Sequence, residues 1–389
     1  MGAADFQKAP PMTIPLSTTV LSGVSTTAPG IDGNSLFGFF AVWADGQQPH
    51  YVTSAWSGNS YQPAVLNSAW TAVDTPGVAL AYDWETLFVA FTDFDGFVQL
   101  ASSADGWMET QTISQAGVKA GPALAYNDIL YIAWQAEDGT LGFATCDRDG
   151  NITDLPGGVP LTSRPTICVD DANRIYVLCG GTLKGGPNPI MIYLSVDGGN
   201  TFTSVTTPQT LCFGPPSLVM LDQFYLAWAD GQTSNLRLAQ TADLGSYTPM
   251  VYDMGCHEGG PGIIPVATIK DPTNPSTWVF SLTAGWTVGS SDSNSHHVAV
   301  GSFSPLPVGG AKQVEKQRRM IARVAAPRAK DPCPDPLTVY DPATGKCVAR
   351  GGCWGQCVLS SFTSVWGAGS VFNPIAYAAC VIKCKIGQT

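Results

Sequence analysis

The chain has 389 residues, of which only 13% are charged, with 42 Gly and 29 Pro. Gly and Pro at that density break helices and supply turns, which excludes a helical bundle and fits an all-β chain of many short strands. Residues 1–311 carry 8 Lys+Arg against 26 Asp+Glu, a net −18, whereas residues 312–389 carry 11 against 4, a net +7. An acidic body argues against nucleic acid as its partner.

Residues 1–28 are rich in Pro and Thr, and Thr13 to Leu21 (TIPLSTTVL) reads as one strand. The opening MGAADFQKAPPM lacks the basic start and apolar core of a signal peptide. Then a unit begins to recur. It reads SLFGFFAVWADG around Trp43 and TPGVALAYDWETLFVAFTDFDG around Phe91. Around Trp134 it reads GPALAYNDILYIAWQAEDG, and around Trp228 PPSLVMLDQFYLAWADG. Weaker copies centre on Cys179 and Phe280. From Trp43 the steps between centres are 48, 43, 45, 49 and 52 residues. A period of roughly 40–50 residues, with several short strands in each, predicts a β-propeller of six blades, with seven as the alternative.

Burial gives the physical reason. In LYIAW, Leu130, Ile132 and Trp134 face one side and Tyr131 and Ala133 the other, and both sides are apolar. Such a strand has to be covered on both faces. One sheet cannot do that alone, but sheets stacked around an axis can. The sixth copy ends at SHHVAVGSF, one strand short, so the N-terminal strand is expected to complete it and close the ring. The domains then read 1–28 N-terminal segment, 29–308 propeller, 309–330 basic linker and 331–389 Cys-rich module.

A second feature recurs late within the units. It is SVDGGNTF at Ser195 to Phe202, TADLGSY at Thr241 to Tyr247, SADGW at Ser103 to Trp107 and SAWSGNSY at Ser54 to Tyr61. Asp197 is placed to accept turn N–H groups, Gly199 to take φ > 0 and Phe202 to plug back into the sheet. Asp243 and Gly245 hold the corresponding places in the second copy. The pattern resembles the Asp-box, or BNR repeat, S/T-x-D-x-G-x-T-W/F, of the sialidase-like propeller superfamily. That superfamily contains sialidases, other glycosidases and carbohydrate-binding propellers without activity. The resemblance implies a structural fastener at Ser195, Asp197, Gly199 and Phe202, not a catalytic group.

It also poses a test. Sialidases bind a substrate carboxylate with three arginines, since bidentate pairing suits a planar anion. Residues 1–311 contain Arg148, Arg164, Arg174 and Arg237, and only Arg164, in SRPTI, matches the position of the family's first arginine. Arg148 reads as a turn residue and Arg174 as a surface residue facing Asp170 or Asp171. Paired carboxylates would serve another glycosidase. Asp45, Asp83, Glu85, Asp93, Glu137, Asp230 and Glu258 are available, and most belong to turn sequences. GCHEGGPG places Cys256, His257 and Glu258 in a Gly-rich stretch, with His296 and His297 following. Trp56, Trp70, Trp84, Trp107 and Trp286 fall in or beside predicted loops, where sugar rings would stack on them. The expected ligand contacts are Arg164, Trp84, Trp286, His257 and Glu258, with no catalytic group, metal or cofactor assigned.

Cys168 and Cys179 lie in strand-like runs and read as buried thiols. Six of the 11 cysteines crowd the tail: Cys333, Cys347, Cys353, Cys357, Cys380 and Cys384. That density reads as a disulfide framework and an oxidising compartment, extracellular or periplasmic. The i, i+4 pairs Cys353/Cys357 and Cys380/Cys384 would each share a helix face. Cross-bridges Cys353–Cys384 and Cys357–Cys380, with Cys333–Cys347, are one of the connectivities open to six cysteines. The pattern resembles twin-CxxxC helical hairpins. The expectation is a non-catalytic propeller that binds a glycan or a cell-surface partner, with a tail that docks on the acidic body or an anionic surface. The alternatives are a sialidase-like hydrolase and a precursor of a cationic membrane-active peptide.

Overall fold

The structure, a computed structural model, describes residues 17–302 apart from 22–24, 26, 35–37, 46–50, 57–62, 82–85, 115–116, 171, 182–185, 221–222, 248–249, 269–278 and 289–296. It further describes 338–341, 346–349, 362–365 and 369–372. The first strand, β1 (Ser17–Val20), precedes a run of antiparallel sheets. Sheet one holds β2 (Gly30–Asn34), β3 (Gly38–Ala44), β4 (Val52–Trp56) and β5 (Ala64–Val65). Sheet two holds β6 (Gly77–Ala81), β7 (Thr86–Thr92), β8 (Val98–Ser102) and β9 (Thr110–Thr112). Sheet three holds β10 (Val118–Asn127), β11 (Ile129–Ala136), β12 (Leu141–Cys146) and β13 (Ile152–Leu155).

Sheet four holds β14 (Thr166–Val169), β15 (Ile175–Cys179), β17 (Met191–Ser195) and β18 (Thr203–Val205). The short β16 (Asn188–Pro189) leaves that unit to pair with sheet five, which contains β19 (Leu211–Met220), β20 (Phe224–Asp230), β21 (Asn235–Thr241) and β22 (Met250–Gly255). Sheet six holds β23 (His257–Thr268), β24 (Val279–Val288) and β25 (His297–Ser302), and its fourth strand is β1. The pairing runs from Ser17↔Ser302 to Val20↔Ala299. The first strands pack in a closed circle, β2–β6–β10–β14–β19–β23 and back to β2. The molecule is a six-bladed propeller.

The two-sided burial read from LYIAW is what holds the blades together. Leu130, Ile132 and Trp134 pack against Phe88, Val98 and Leu100 of blade two. On the opposite face, Tyr131 and Ala133 pack against Ile175, Val177 and Cys179 of blade four. The ring closes through Trp43, Ala41 and Ala55 of blade one packed on Val298 and Val300 of blade six. At about 25 cal/mol per Å² of apolar surface, these seams carry the hydrophobic stabilisation.

Because strands alternate in direction, each blade's first-to-second and third-to-fourth turns lie at one end, the lower rim. The second-to-third turns and the beginnings of the first strands lie at the other, the upper rim. Pro76 and Pro165 stand immediately before β6 and β14, whereas Pro122, Pro215, Pro216 and Pro261 lie inside strands. There the ladders slip, between Val118 and Ala123, Phe213 and Ser217, and His257 and Gly262. A bulge needs no ladder N–H from its proline.

In the tail, β26 (Thr338–Asp341) pairs with β27 (Lys346–Ala349), and β28 (Phe362–Val365) with β29 (Gly369–Phe372). Cys333, Cys353, Cys357, Cys380 and Cys384 lie outside the described residues, and with them the expected cysteine-bearing helical arms and bridges. Cys347 is in β27.

First strands approach one another closely near the axis. A β-carbon on Gly30 would collide with the Pro76 carbonyl of blade two. Gly30→Ala is therefore expected to cost about 1–3 kcal/mol. Gly117→Ala, where only a Glu137 oxygen 3.8 Å away would be met, should stay within about 0.5 kcal/mol. Urea unfolding of both variants checks this.

Candidate functional site

The first strands turn one edge toward the axis, where side chains from the preceding blade bond several of their backbone groups. Asp32 of β2 accepts the Leu80 N–H of β6 at 2.7 Å and its neighbour Gly33 N–H at 2.7 Å. Asp74, just before β6, accepts Gly121 N–H of β10 at 2.6 Å and Thr75 N–H at 2.6 Å. The Thr166 hydroxyl of β14 donates to the Pro216 carbonyl at 2.5 Å. Ser217 Oγ of β19 accepts the Ile263 N–H of β23 at 3.1 Å.

Arg164 sits among them at the upper rim, immediately before β14. Its Nη2 donates to the Pro122 carbonyl at 2.6 Å and to the Pro76 carbonyl at 3.3 Å. One side chain thus ties blade four to blades two and three. Its Nε is buried with no hydrogen-bond partner. Desolvation pulls the guanidinium down to about 10, and the Asp74 carboxylate opposes that shift. Burial pushes the Asp32 carboxyl the other way, up to about 6, against the pull of the Leu80 and Gly33 N–H groups.

The other three arginines do not join Arg164. Arg148 is exposed in the β12–β13 turn at the lower rim. Arg174 bonds Asp170 through Nε at 2.6 Å, and its guanidinium lies over the Tyr176 ring. Arg237 on β21 is held by Asp230, with Nε 2.6 Å from Oδ2. The four arginines of residues 1–311 therefore form no three-arginine clamp.

Trp286 was expected beside a loop. It lies in β24, opposite Ala299, and is 0% exposed. A wholly enclosed ring cannot stack on a sugar, so it belongs to the core. Trp70 is also buried, against Phe91 and Trp107. Trp84 is outside the described residues. His257 and Glu258 open β23 at the upper rim, opposite the end of β24. Their side chains are not among those described. Asp93 is taken by Phe97 N–H and Gln99 Nε2 within its own turn, and Asp230 by Gln232 N–H and Arg237. Among the described residues, no cluster of three or more His, Cys, Asp or Glu could hold a metal ion. Sequence reasoning missed Asp32 and Asp74. Their signal is position: each lies within three residues of a Pro-Gly pair, in PGID and DTPG.

At the lower rim Asp197 accepts Thr201 N–H at 2.9 Å, the Thr201 hydroxyl at 2.6 Å and the Ser195 hydroxyl at 2.8 Å. These donors, the Thr201 hydroxyl foremost, hold its carboxyl down to about 2. Gly199 has φ 97°, and a β-carbon there would strike the Phe143 ring of blade three. Phe202 meets the same ring edge-on at 5.3 Å between centroids. Asp243 accepts Gly245 N–H at 2.9 Å, and Tyr247 packs on Trp228.

The fold has known counterparts. The chain resembles a protein of unknown function from Dyadobacter fermentans, at 12% identity and TM-score 0.52, covering 75% of this chain and 99% of that one. Trypanosoma rangeli sialidase matches at 12% identity and TM-score 0.51, over 84% of this chain and 61% of its own length. A mutant of AofleA from Arthrobotrys oligospora, with three arginines changed to alanine, matches at 9% identity and TM-score 0.51, over 76% and 91%. The chain shares its propeller fold with these proteins. No protein-family model and no curated protein matches the sequence.

Two measurements test the propeller's axial groups. Arg164→Met keeps the apolar stem but strands two carbonyls, and should cost about 2–4 kcal/mol in urea unfolding. Asp32 has a folded value above its unfolded one, so its stabilising protonation is complete below about pH 4 and is lost as pH rises through about 6. Asp32→Asn should flatten that limb of the stability–pH curve between pH 4 and 6. An unchanged limb assigns the titration elsewhere.

Proposed function

We propose that this protein is a carbohydrate-binding propeller, and that its ligand approaches the upper rim, where Arg164 lies, without being hydrolysed as a sialoside. The observation that carries the reading is the engagement of Arg164. Its Nη2 is tied to the Pro76 and Pro122 carbonyls, and Arg148, Arg174 and Arg237 lie elsewhere or in ion pairs. A carboxylate clamp needs several free guanidinium groups converging on one anion.

The fold shared with Trypanosoma rangeli sialidase supports a sugar as ligand. So does the likeness of SVDGGNTF to an Asp-box. Charge narrows the class: a body of net −18 over residues 1–311 repels sialylated and sulfated glycans and leaves neutral ones. Cell-surface glycans reached after export fit this reading, with the Cys-rich tail as an oxidised accessory module.

The test joins a glycan array to a fluorogenic sialoside assay on the full chain. Neutral glycans should be retained over sialylated ones, and the sialoside should not turn over. Hydrolysis that disappears in Arg164→Ala would establish the enzyme instead. An array with no retained glycan would remove the carbohydrate reading.

A further inference from the structure

We infer that Asn151 is an acceptor site for Asn-linked glycosylation. Among all 389 residues the triplet Asn-x-Ser/Thr, with x not Pro, occurs once, as Asn151-Ile152-Thr153. The nearby-looking Asn200-Thr201-Phe202 fails because Phe stands in the third place. The structure adds what a triplet alone does not. Asn151 and Thr153 are both exposed, and only Ile152 between them is half-buried. Asn151 ends the β12–β13 turn, and Thr153 lies on β13, the outermost strand of blade three.

The carboxamide is positioned rather than buried. Asn151 N–H donates to Asp147 Oδ1 at 2.9 Å, and Asn151 Nδ2 donates to Asp147 Oδ2 at 2.9 Å. A carboxamide nitrogen carries two hydrogens, and Asp147 uses one. Glycosylation replaces one N–H and leaves one, so a modified Asn151 can keep its bond to Asp147. The sugar then projects into solvent without disturbing the turn.

The transfer balances with one co-substrate, an oligosaccharide on a lipid diphosphate. Asn151 Nδ2 attacks the sugar's C1. The C1–N bond forms, the C1–O bond to the diphosphate breaks and the diphosphate leaves with that electron pair. The displaced amide proton passes to a base of the transferase. The turn occupies in blade three the place that Ser195 to Phe202 occupies in blade four. It is thus at the lower rim, at the opposite end of the ring from Arg164. A glycan there would lie beside β13, the edge strand of its sheet, and would leave the upper rim open. The inference goes beyond the carbohydrate-binding reading and does not depend on it.

The test is to express the full chain behind a signal peptide in a eukaryotic secretory host and recover it from the medium. Wild type should show a mass increase that an Asn-glycan-cleaving amidase removes, converting residue 151 to Asp. Asn151→Gln and Thr153→Ala should both lack the increase, and Thr153→Ser should retain part of it. The Asn151–Asp147 bonds do not involve residue 153, so recovery of Thr153→Ala from the medium separates loss of the increase from a folding defect. Secreted wild type carrying unmodified Asn151 overturns the inference, as does a mass increase that persists in Thr153→Ala.

Discussion

The inner edges of the first strands are the constraint on which this propeller depends. The first strands crowd together around an axis, where an unpaired N–H or C=O group would cost about 1–3 kcal/mol. Side chains from the preceding blade meet this need: Asp32 to Leu80, Asp74 to Gly121, Thr166 to Pro216, Ser217 to Ile263. The same bonds register one blade against another. Hydrophobic seams supply most of the attraction between blades, but they are tolerant of sliding. Hydrogen bonds at the axis are directional and set the ring's geometry.

This solution shapes the chemistry that remains available. Arg164 was singled out for a carboxylate clamp, yet its Nη2 bridges carbonyls of two other blades. Asp74 lies close enough to favour its charge while holding a backbone N–H of its own. A polar group that carries the backbone cannot move freely toward a substrate. The cluster reads as architecture: its polar side chains are bonded to the backbone of neighbouring blades.

The two rims divide the labour. The lower rim is stitched by local turns, of which Ser195 to Phe202 is the most complete. There Asp197 gathers hydroxyl and backbone donors, and Phe202 reaches across to Phe143 of the preceding blade. The upper rim holds the bulges of β10, β19 and β23, which break the ladder and project chain around the axis. Bulges re-aim side chains, and they gather on the rim that Arg164 occupies.

Much of this architecture was legible from residues alone. Both faces of LYIAW being apolar demanded a neighbour on each side, and Phe88 with Ile175 are those neighbours. The count of recurring units matched the six blades. The missing strand after SHHVAVGSF pointed to the N-terminus, and β1 pairs with β25. These features were readable because strand periodicity and turn chemistry are local. The site was not. Trp286 stood next to Gly-rich sequence and is enclosed in the core, since burial depends on which blade covers it. Asp32 and Asp74 were invisible because their partners, Leu80 and Gly121, lie almost one blade away in sequence. Arg164 was singled out for its charge and its Pro neighbour, but its bonds to Pro76 and Pro122 span 88 and 42 residues. The sequence by itself determined the repeating unit and the necessity of a ring. Only tertiary structure decided which polar groups close that ring, because a backbone edge has no side chain to announce what it will need.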